Sequence, residues 1–297
     1  MKTTNQIISF QKVSLTIKRD DLVHPIISGN KYRKLKYNLK EAKRLKKNLL
    51  ITFGGAYSNH IAAVAGAGKE FGFKTIGIIR GEELKEKISE NPTLCYAQEC
   101  GMKFEFISRE AYRQKDDPSF KNDLERRFDH FYLIPEGGTN ALAIRGCEEI
   151  LTSDDMNYQY VCVPVGTGGT MAGLINSAGP KQKVLGFSSL KGNFMSDQIK
   201  ALSKSSDNWE LMDSYHFGGY GKINDQLITF INEFNRKTHI ALDPIYTGKM
   251  LYGIIDLFEK KYFEKNSTIL VIHTGGLQGI KGMNLKLKAK KRTLIEQ

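Results

Sequence analysis

Seven short apolar runs, closed by glycine or a polar turn and interleaved with segments of helical period, set the frame of this chain. They read "NLLITFGG", "KTIGIIRG", "KFEFIS", "FYLIPEGG", "YVCVPVGTGG", "KVLGFSS" and "STILVIHTGG". Helices fit the intervening "YSNHIAAVAGAGKEFG", "PTLCYAQECG", "REAYRQKDDPSFKNDLERRFDH", "ALAIRGCEEILTS" and "TMAGLINSAG". A strand that is apolar throughout needs cover on both faces, and strand–helix alternation supplies that cover. The pattern predicts doubly wound α/β architecture with mostly parallel sheets. A length of 297 residues suits two domains better than one. With no low-complexity linker to mark a joint, one domain is read as inserted in the other.

Three strands leave into small-residue turns: "TFGGAYSN", "VPVGTGGT" and "IHTGG". Open α/β sheets bind ligands at the carboxyl ends of their strands, so a site belongs at these turns. In "VPVGTGGTMAGL", Gly166, Gly168 and Gly169 let backbone N–H groups approach an anion closely. Thr167 and Thr170 add hydroxyl donors, and the next helix points its N-terminus at the same place. A dinucleotide fingerprint is not met, because Met171 stands where its third glycine would be and "GFSSL" offers no acidic partner for a ribose. A P-loop is not met either, since no Lys-Ser/Thr follows the glycines.

The stretch "SGNKYRKLKYNLKEAKRLKKN" carries seven lysines. Tyr32, Leu35, Leu39, Ala42 and Leu45 form one apolar stripe on a helix. At about 100° per residue, Lys34, Lys36, Lys40, Lys43 and Lys47 fall outside it. Lys46 falls inside at the C-terminal end, where a cation is favoured and can snorkel to water. Lys31 alone lies inside the stripe at the N-terminal end, where the helix dipole opposes its charge and partial burial lowers its pKa. Such a lysine is an ordinary first-turn side chain unless the fold brings it a reactant. Paired with a phosphate cradle, it suits pyridoxal phosphate, whose aldehyde needs a Schiff-base lysine.

Five segments in order, "IKRDDL…SGNKYRKL", "GGAYSNH", "VGTGGTMAG", "DPIYTGK" and "HTGG", carry a specific resemblance. The chain resembles the β-family, or fold type II, of pyridoxal-phosphate enzymes. More narrowly it is similar to the group containing 1-aminocyclopropane-1-carboxylate (ACC) deaminase and D-cysteine desulfhydrase. We place a large cofactor-binding domain at residues 1–41 and 145–297, and a smaller inserted α/β domain at 42–144.

The resemblance implies that Lys31 binds the cofactor and moves the substrate's Cα proton. It puts Ser58 and Asn59 at the substrate carboxylate, with Asn59 also beside the cofactor's phenolic oxygen, and His60 as a further carboxylate donor. Tyr246 is implied near the reacting carbon and Tyr220 near the substrate. Gly166, Thr167, Gly168, Gly169 and Thr170 are the implied phosphate loop, with Thr247 and Thr274 beside the pyridine ring. At those last two positions the deaminases tend to carry glutamate and leucine, so the threonine pair resembles the desulfhydrase side. A carboxylate at the ring nitrogen favours its protonation and a stronger electron sink, as ring opening requires; a hydroxyl suffices for expelling thiolate.

The expected reaction converts D-cysteine to pyruvate, hydrogen sulfide and ammonia, a lyase step with hydrolase chemistry in the final release. ACC deamination, elimination from a related amino acid, and cofactor binding without turnover are the alternatives. Ser58 and Tyr246 argue against the last, because binding alone needs no substrate-side groups. The chain departs from the family at "YGKIN", where Leu-Pro is common after "YG", and at "LQGIKG", where a Pro-Ala stretch is common.

A formal charge of +12 reads as a lysine-rich solvated surface that attracts small anions, since no zinc-finger or RNP-type motif supports nucleic-acid binding. Cys95, Cys100, Cys147 and Cys162 form no CxxC pair, which argues against a metal site and for reduced thiols. No apolar stretch is long enough to cross a bilayer, and the start lacks a signal-peptide pattern. The expectation is a cytoplasmic homodimer acting on a small amino acid, without membrane or nucleic-acid partners.

Overall fold

The computed structural model describes residues 3–25, 27–192, 194–204 and 207–297. Its strands, in chain order, are β1 (Asn5–Phe10), β2 (Val13–Lys18), β3 (Leu49–Gly54), β4 (Lys74–Arg80), β5 (Lys103–Ile107), β6 (Phe131–Ile134), β7 (Tyr160–Val165), β8 (Lys183–Ser188), β9 (Trp209–Met212) and β10 (Ile269–Ile272). The chain divides into two units, Met1–Lys34 with Asn140–Gln297, and Leu35–Thr139.

The larger unit carries a six-stranded sheet in the order β1-β2-β10-β7-β8-β9, parallel except for the β1–β2 hairpin. Strand β7 explains why its sequence is apolar throughout. Cys162 packs on one face with Phe187, Phe234, Leu251 and Ile254, while Val161, Val163 and Val165 pack on the other with Leu174 and Ile199. Each fully buried aliphatic side chain of this kind stabilises the fold by about 1.5–3 kcal/mol relative to exposure. From β7 the chain steps outward to β8 and β9, then returns to lay β10 on the opposite side of β7. The carboxyl ends of β7 and β10, "GTGGT" and "HTGG", therefore flank a topological switch point, where open sheets bind ligands.

The smaller unit repeats the device with the order β5-β4-β3-β6, all parallel. Ile51, Phe53, Ile78, Tyr112 and Leu124 form its core. Its switch point lies between β3 and β6, at the "FGGAYSN" turn.

All seven sequence-predicted strands are present. The polar stretch expected to hold one helix holds two, Arg109–Arg113 and Pro118–Arg127. Helix Asn30–Arg44 buries Leu35, Leu39 and Ala42, but stops before Leu45, which is exposed. Lys46 lies beyond that helix, in a left-handed conformation. Among the described residues no helix is long and apolar enough to cross a membrane.

Candidate active site

The turn that launches Lys31 is locked against the exit of β10. Gly29 has a positive φ of 63°, and a Cβ there would stand 1.9 Å from the Thr274 carbonyl oxygen, so only glycine fits. The Asn30 N–H donates to that same oxygen at 3.2 Å. From the other side, a Cβ on Gly275 would meet the Ser28 hydroxyl at 2.4 Å, and that hydroxyl donates to the Asp21 carbonyl at 2.9 Å. Arg33 pins the helix from below through a buried ion pair with Asp20 at 2.7 Å. Removing one partner of such a pair costs about 3–5 kcal/mol, because the other is left charged and buried.

Lys31 then meets the phosphate loop. Its Nζ donates to Asn30 Oδ1 at 3.4 Å, and Asn30 Nδ2 donates to Thr170 Oγ1 at 2.9 Å. Burial first, and the charge of Lys34 second, lower the Lys31 amine to about 7. Lys34, placed outside the apolar stripe by sequence, is in fact 2% exposed, and its Nζ donates to Thr167 Oγ1 at 3.2 Å. Burial lowers its pKa as well. The stripe argument missed Lys34 because it assumed one buried face, whereas the first turn is enclosed on a second side by the loop. Gly168, at φ 74°, caps helix Gly169–Ser177, whose first N–H groups rise from Gly169 and Thr170.

Gly166 makes room for a side chain: its Cβ would stand 3.0 Å from the Tyr246 ring. Tyr246 precedes helix Thr247–Glu259, whose entry is organised by Asp243. That carboxylate accepts from the N–H groups of Ile245, Tyr246 and Thr247 and from the Thr247 hydroxyl, at 2.8–3.0 Å. Burial still pushes the Asp243 carboxyl upward against these four bonds. Thr247 is 0% exposed, gives its only hydroxyl hydrogen to Asp243, and accepts from the Asp243 N–H at 2.9 Å. Thr247 is therefore a helix cap whose single hydroxyl hydrogen is engaged by Asp243. Thr274 stays at the mouth of β10, 6% exposed, with its backbone against the Lys31 turn. The Tyr220 ring stands 6.3 Å from the Tyr246 ring, edge-on. The larger unit thus gathers Lys31, Thr167, Thr170, Tyr220, Tyr246 and Thr274 around one switch point.

Ser58, Asn59 and His60 belong to the smaller unit. Ser58 caps helix Asn59–Phe71, its Oγ accepting from the N–H groups of His60 and Ile61 at 3.2 and 3.3 Å. Its own hydroxyl hydrogen is not used by those bonds, so it can serve an anion as well as the cap. Asn59 opens the helix beside it and is half-buried. His60 is 2% exposed. The Thr52 hydroxyl donates to the Ile134 carbonyl at 2.8 Å, so it must accept from His60 Nε2, also at 2.8 Å. His60 thereby ties β3 to the exit of β6 from inside.

The larger unit's donor set is that of a phosphorylated aldehyde's host. A crowded lysine amine could serve as the nucleophile, and two hydroxyls, a second lysine and a helix N-terminus alongside could hold the aldehyde's phosphate. Comparison with known proteins agrees. Residues 5–275 match the family described as "Pyridoxal-phosphate dependent enzyme". A protein of Pyrococcus furiosus, provisionally named a 1-aminocyclopropane-1-carboxylate deaminase, is 33% identical across 89% of this chain and 84% of its own length. The Arabidopsis thaliana mitochondrial bifunctional D-cysteine desulfhydrase/1-aminocyclopropane-1-carboxylate deaminase is 31% identical across 90% of this chain and 73% of its own. A crystal structure of an ACC deaminase homologue superposes with a TM-score of 0.85 at 29% identity, covering 97% of this chain and 94% of the other.

Proposed function

Since the chain belongs to the pyridoxal-phosphate-dependent enzyme family, we propose that it eliminates the β-substituent of a small D-amino acid, D-cysteine first among them. The products are then pyruvate, hydrogen sulfide and ammonia. The observation that carries the cofactor assignment is the hydrogen-bonded path from Lys31 through Asn30 to Thr170. Pyridoxal phosphate, when bound, supplies an aldehyde that condenses with an amine and a ring that accepts electrons released at the substrate's Cα.

The protein's own groups divide the remaining work. Thr167, Thr170, Lys34 and the N-terminus of helix Gly169–Ser177 hold the phosphate. Lys31, its pKa lowered to about 7 so that the neutral amine is well populated near neutral pH, takes up the Cα proton. Asn30 fixes the direction of its amine. Ser58 and Asn59 receive the substrate carboxylate, a role suited to the positive end of a helix. Tyr246 works beside the reacting carbon, and Tyr220 beside the substrate's side chain. The enzyme is a lyase and not a hydrolase: the Cβ–S bond breaks by elimination, and water enters only afterwards. D-Cysteine is favoured over the cyclopropane substrate because positions 247 and 274 both carry threonine, where the deaminases that the chain resembles tend to carry glutamate and leucine. Ring opening of ACC is the second reading, supported by the name of the Pyrococcus furiosus relative. The proposal includes a cytoplasmic homodimer, in keeping with four free cysteines and the exposed Ile7 and Leu22.

The purified protein is expected to show a visible absorbance band that borohydride bleaches, with the cofactor adduct on Lys31 by mass spectrometry. It should release sulfide and pyruvate from D-cysteine faster than 2-oxobutanoate from ACC. An adduct on another lysine overturns the site. Preference for ACC, or silence toward every D-amino acid, overturns the substrate.

A further inference from the structure

The first turn of helix Thr247–Glu259 contains a second lysine whose burial calls for a reason. Lys249 is 1% exposed, and a cation at a helix N-terminus is opposed by the dipole. Its Nζ donates to the carbonyls of His216 at 2.8 Å and Gly219 at 3.0 Å. Those two carbonyls are not arbitrary. The His216 carbonyl also accepts from the Gly219 N–H, and the Gly219 carbonyl from the Lys222 N–H, at 3.0 and 3.2 Å. They are the first residues of two successive tight turns, and one ammonium joins both.

The turns are costly to form unaided. Phe217, Gly218, Gly219 and Gly221 all have positive φ, between 53° and 113°. Tyr220 is the one residue of that run outside the left-handed region, at the corner of the second turn, with half its surface exposed. The helix grips the same segment further along the face that Lys249 starts. Tyr252 stacks edge-on against Phe217 at 5.0 Å, and Gly253 would strike the Tyr215 ring if it had a Cβ. Asp256 accepts from the Tyr215 hydroxyl at 2.6 Å. The circuit then closes: Tyr220 rests against Tyr246, the residue just before that helix, and Tyr246 fills the space left by Gly166.

We propose that Lys249 is a positioning residue for substrate selection, stapling the two turns so that Tyr220 is held against Tyr246 where the substrate's side chain is read. This rests on the amino-acid lyase reading of the same site. Lys249 touches neither cofactor nor substrate. It acts through Tyr220, and the segment's unusual backbone would relax without it.

Two measurements test this on the full-length protein. Hydrogen exchange, read by mass spectrometry without substrate, should speed up about tenfold or more for amides 218–222 in Lys249→Met and stay unchanged elsewhere. The cofactor band should also be retained. In turnover, Lys249→Met should raise KM for the amino acid about tenfold with little change in kcat; in a Tyr220→Ala background the same change should cost less than about twofold. Additive losses, or unaltered exchange at 218–222, overturn the proposal. Should Lys249→Met not fold, Lys249→Gln keeps two N–H donors on a shorter arm and is read the same way. If no amino acid is turned over, the functional reading fails, while the exchange experiment still decides whether the staple exists.

Discussion

Lys31, half-buried, and Lys34 and Lys249, both buried, lie near helix N-termini, and in each the pKa is lowered first by burial. They differ in what they meet. Lys249 meets two carbonyls, Lys34 a hydroxyl, and Lys31 an amide oxygen at the long distance of 3.4 Å. The least satisfied of the three is the one we propose to react. Lys34 adds repulsion to the burial that lowers the Lys31 amine, so Lys34→Met should raise the Lys31 pKa. In cofactor-free protein, the pH dependence of Lys31 acylation should have its midpoint at about 7. The midpoint should move upward in Lys34→Met; an unmoved one would show that burial alone sets the amine. Lys31 was legible in sequence because it broke the helix's own pattern. The burial of Lys34 and His60 was not, because neither a lysine outside the apolar stripe nor a histidine in a first helical turn announces that tertiary packing encloses it.

Turns rather than strands or helices carry the site, and the most exacting is residues 28–30. A methyl at Gly29 cannot coexist with the Thr274 carbonyl 1.9 Å away. Gly29→Ala should therefore separate the two turns, break the Asn30 to Thr274 bond and swing Lys31 away from Thr170. Titration with pyridoxal phosphate, followed by absorbance, should show affinity reduced about tenfold or more, while circular dichroism stays native. Unchanged affinity would mean that the contact between the turns is dispensable. Strands β3, β4, β7, β8 and β10 were readable because burial on both faces writes itself as continuous apolar sequence. The β1–β2 hairpin was not. Its turn is made by Gln11 and Lys12, both at positive φ (46° and 65°), where hairpin rules look for Asn or Gly. The four-residue strand β9 is too short and too mixed to declare itself.

At the scale of the molecule, the two units differ in how the chain builds them. The smaller is one uninterrupted stretch, Leu35–Thr139, with four parallel strands and a core of its own. Three or more strands with a covered face meet the requirement for independent stability. A fragment of residues 30–139, begun early enough to keep the whole first helix, should unfold cooperatively on heating; a structureless fragment would show that the division is only geometric. The larger unit is discontinuous, and its sheet is joined across the middle by the last strand. Strand β10 alone links the β1–β2 hairpin to β7, β8 and β9. During synthesis the hairpin must therefore wait about 250 residues for its parallel partner, roughly tens of seconds at cellular rates of elongation. Thr274, which seats the Lys31 turn, leaves the ribosome directly behind that strand. A chain without β10 consequently displays Lys31 as an ordinary lysine, and the turn proposed to aim it at an aldehyde is seated only once that strand has joined the sheet.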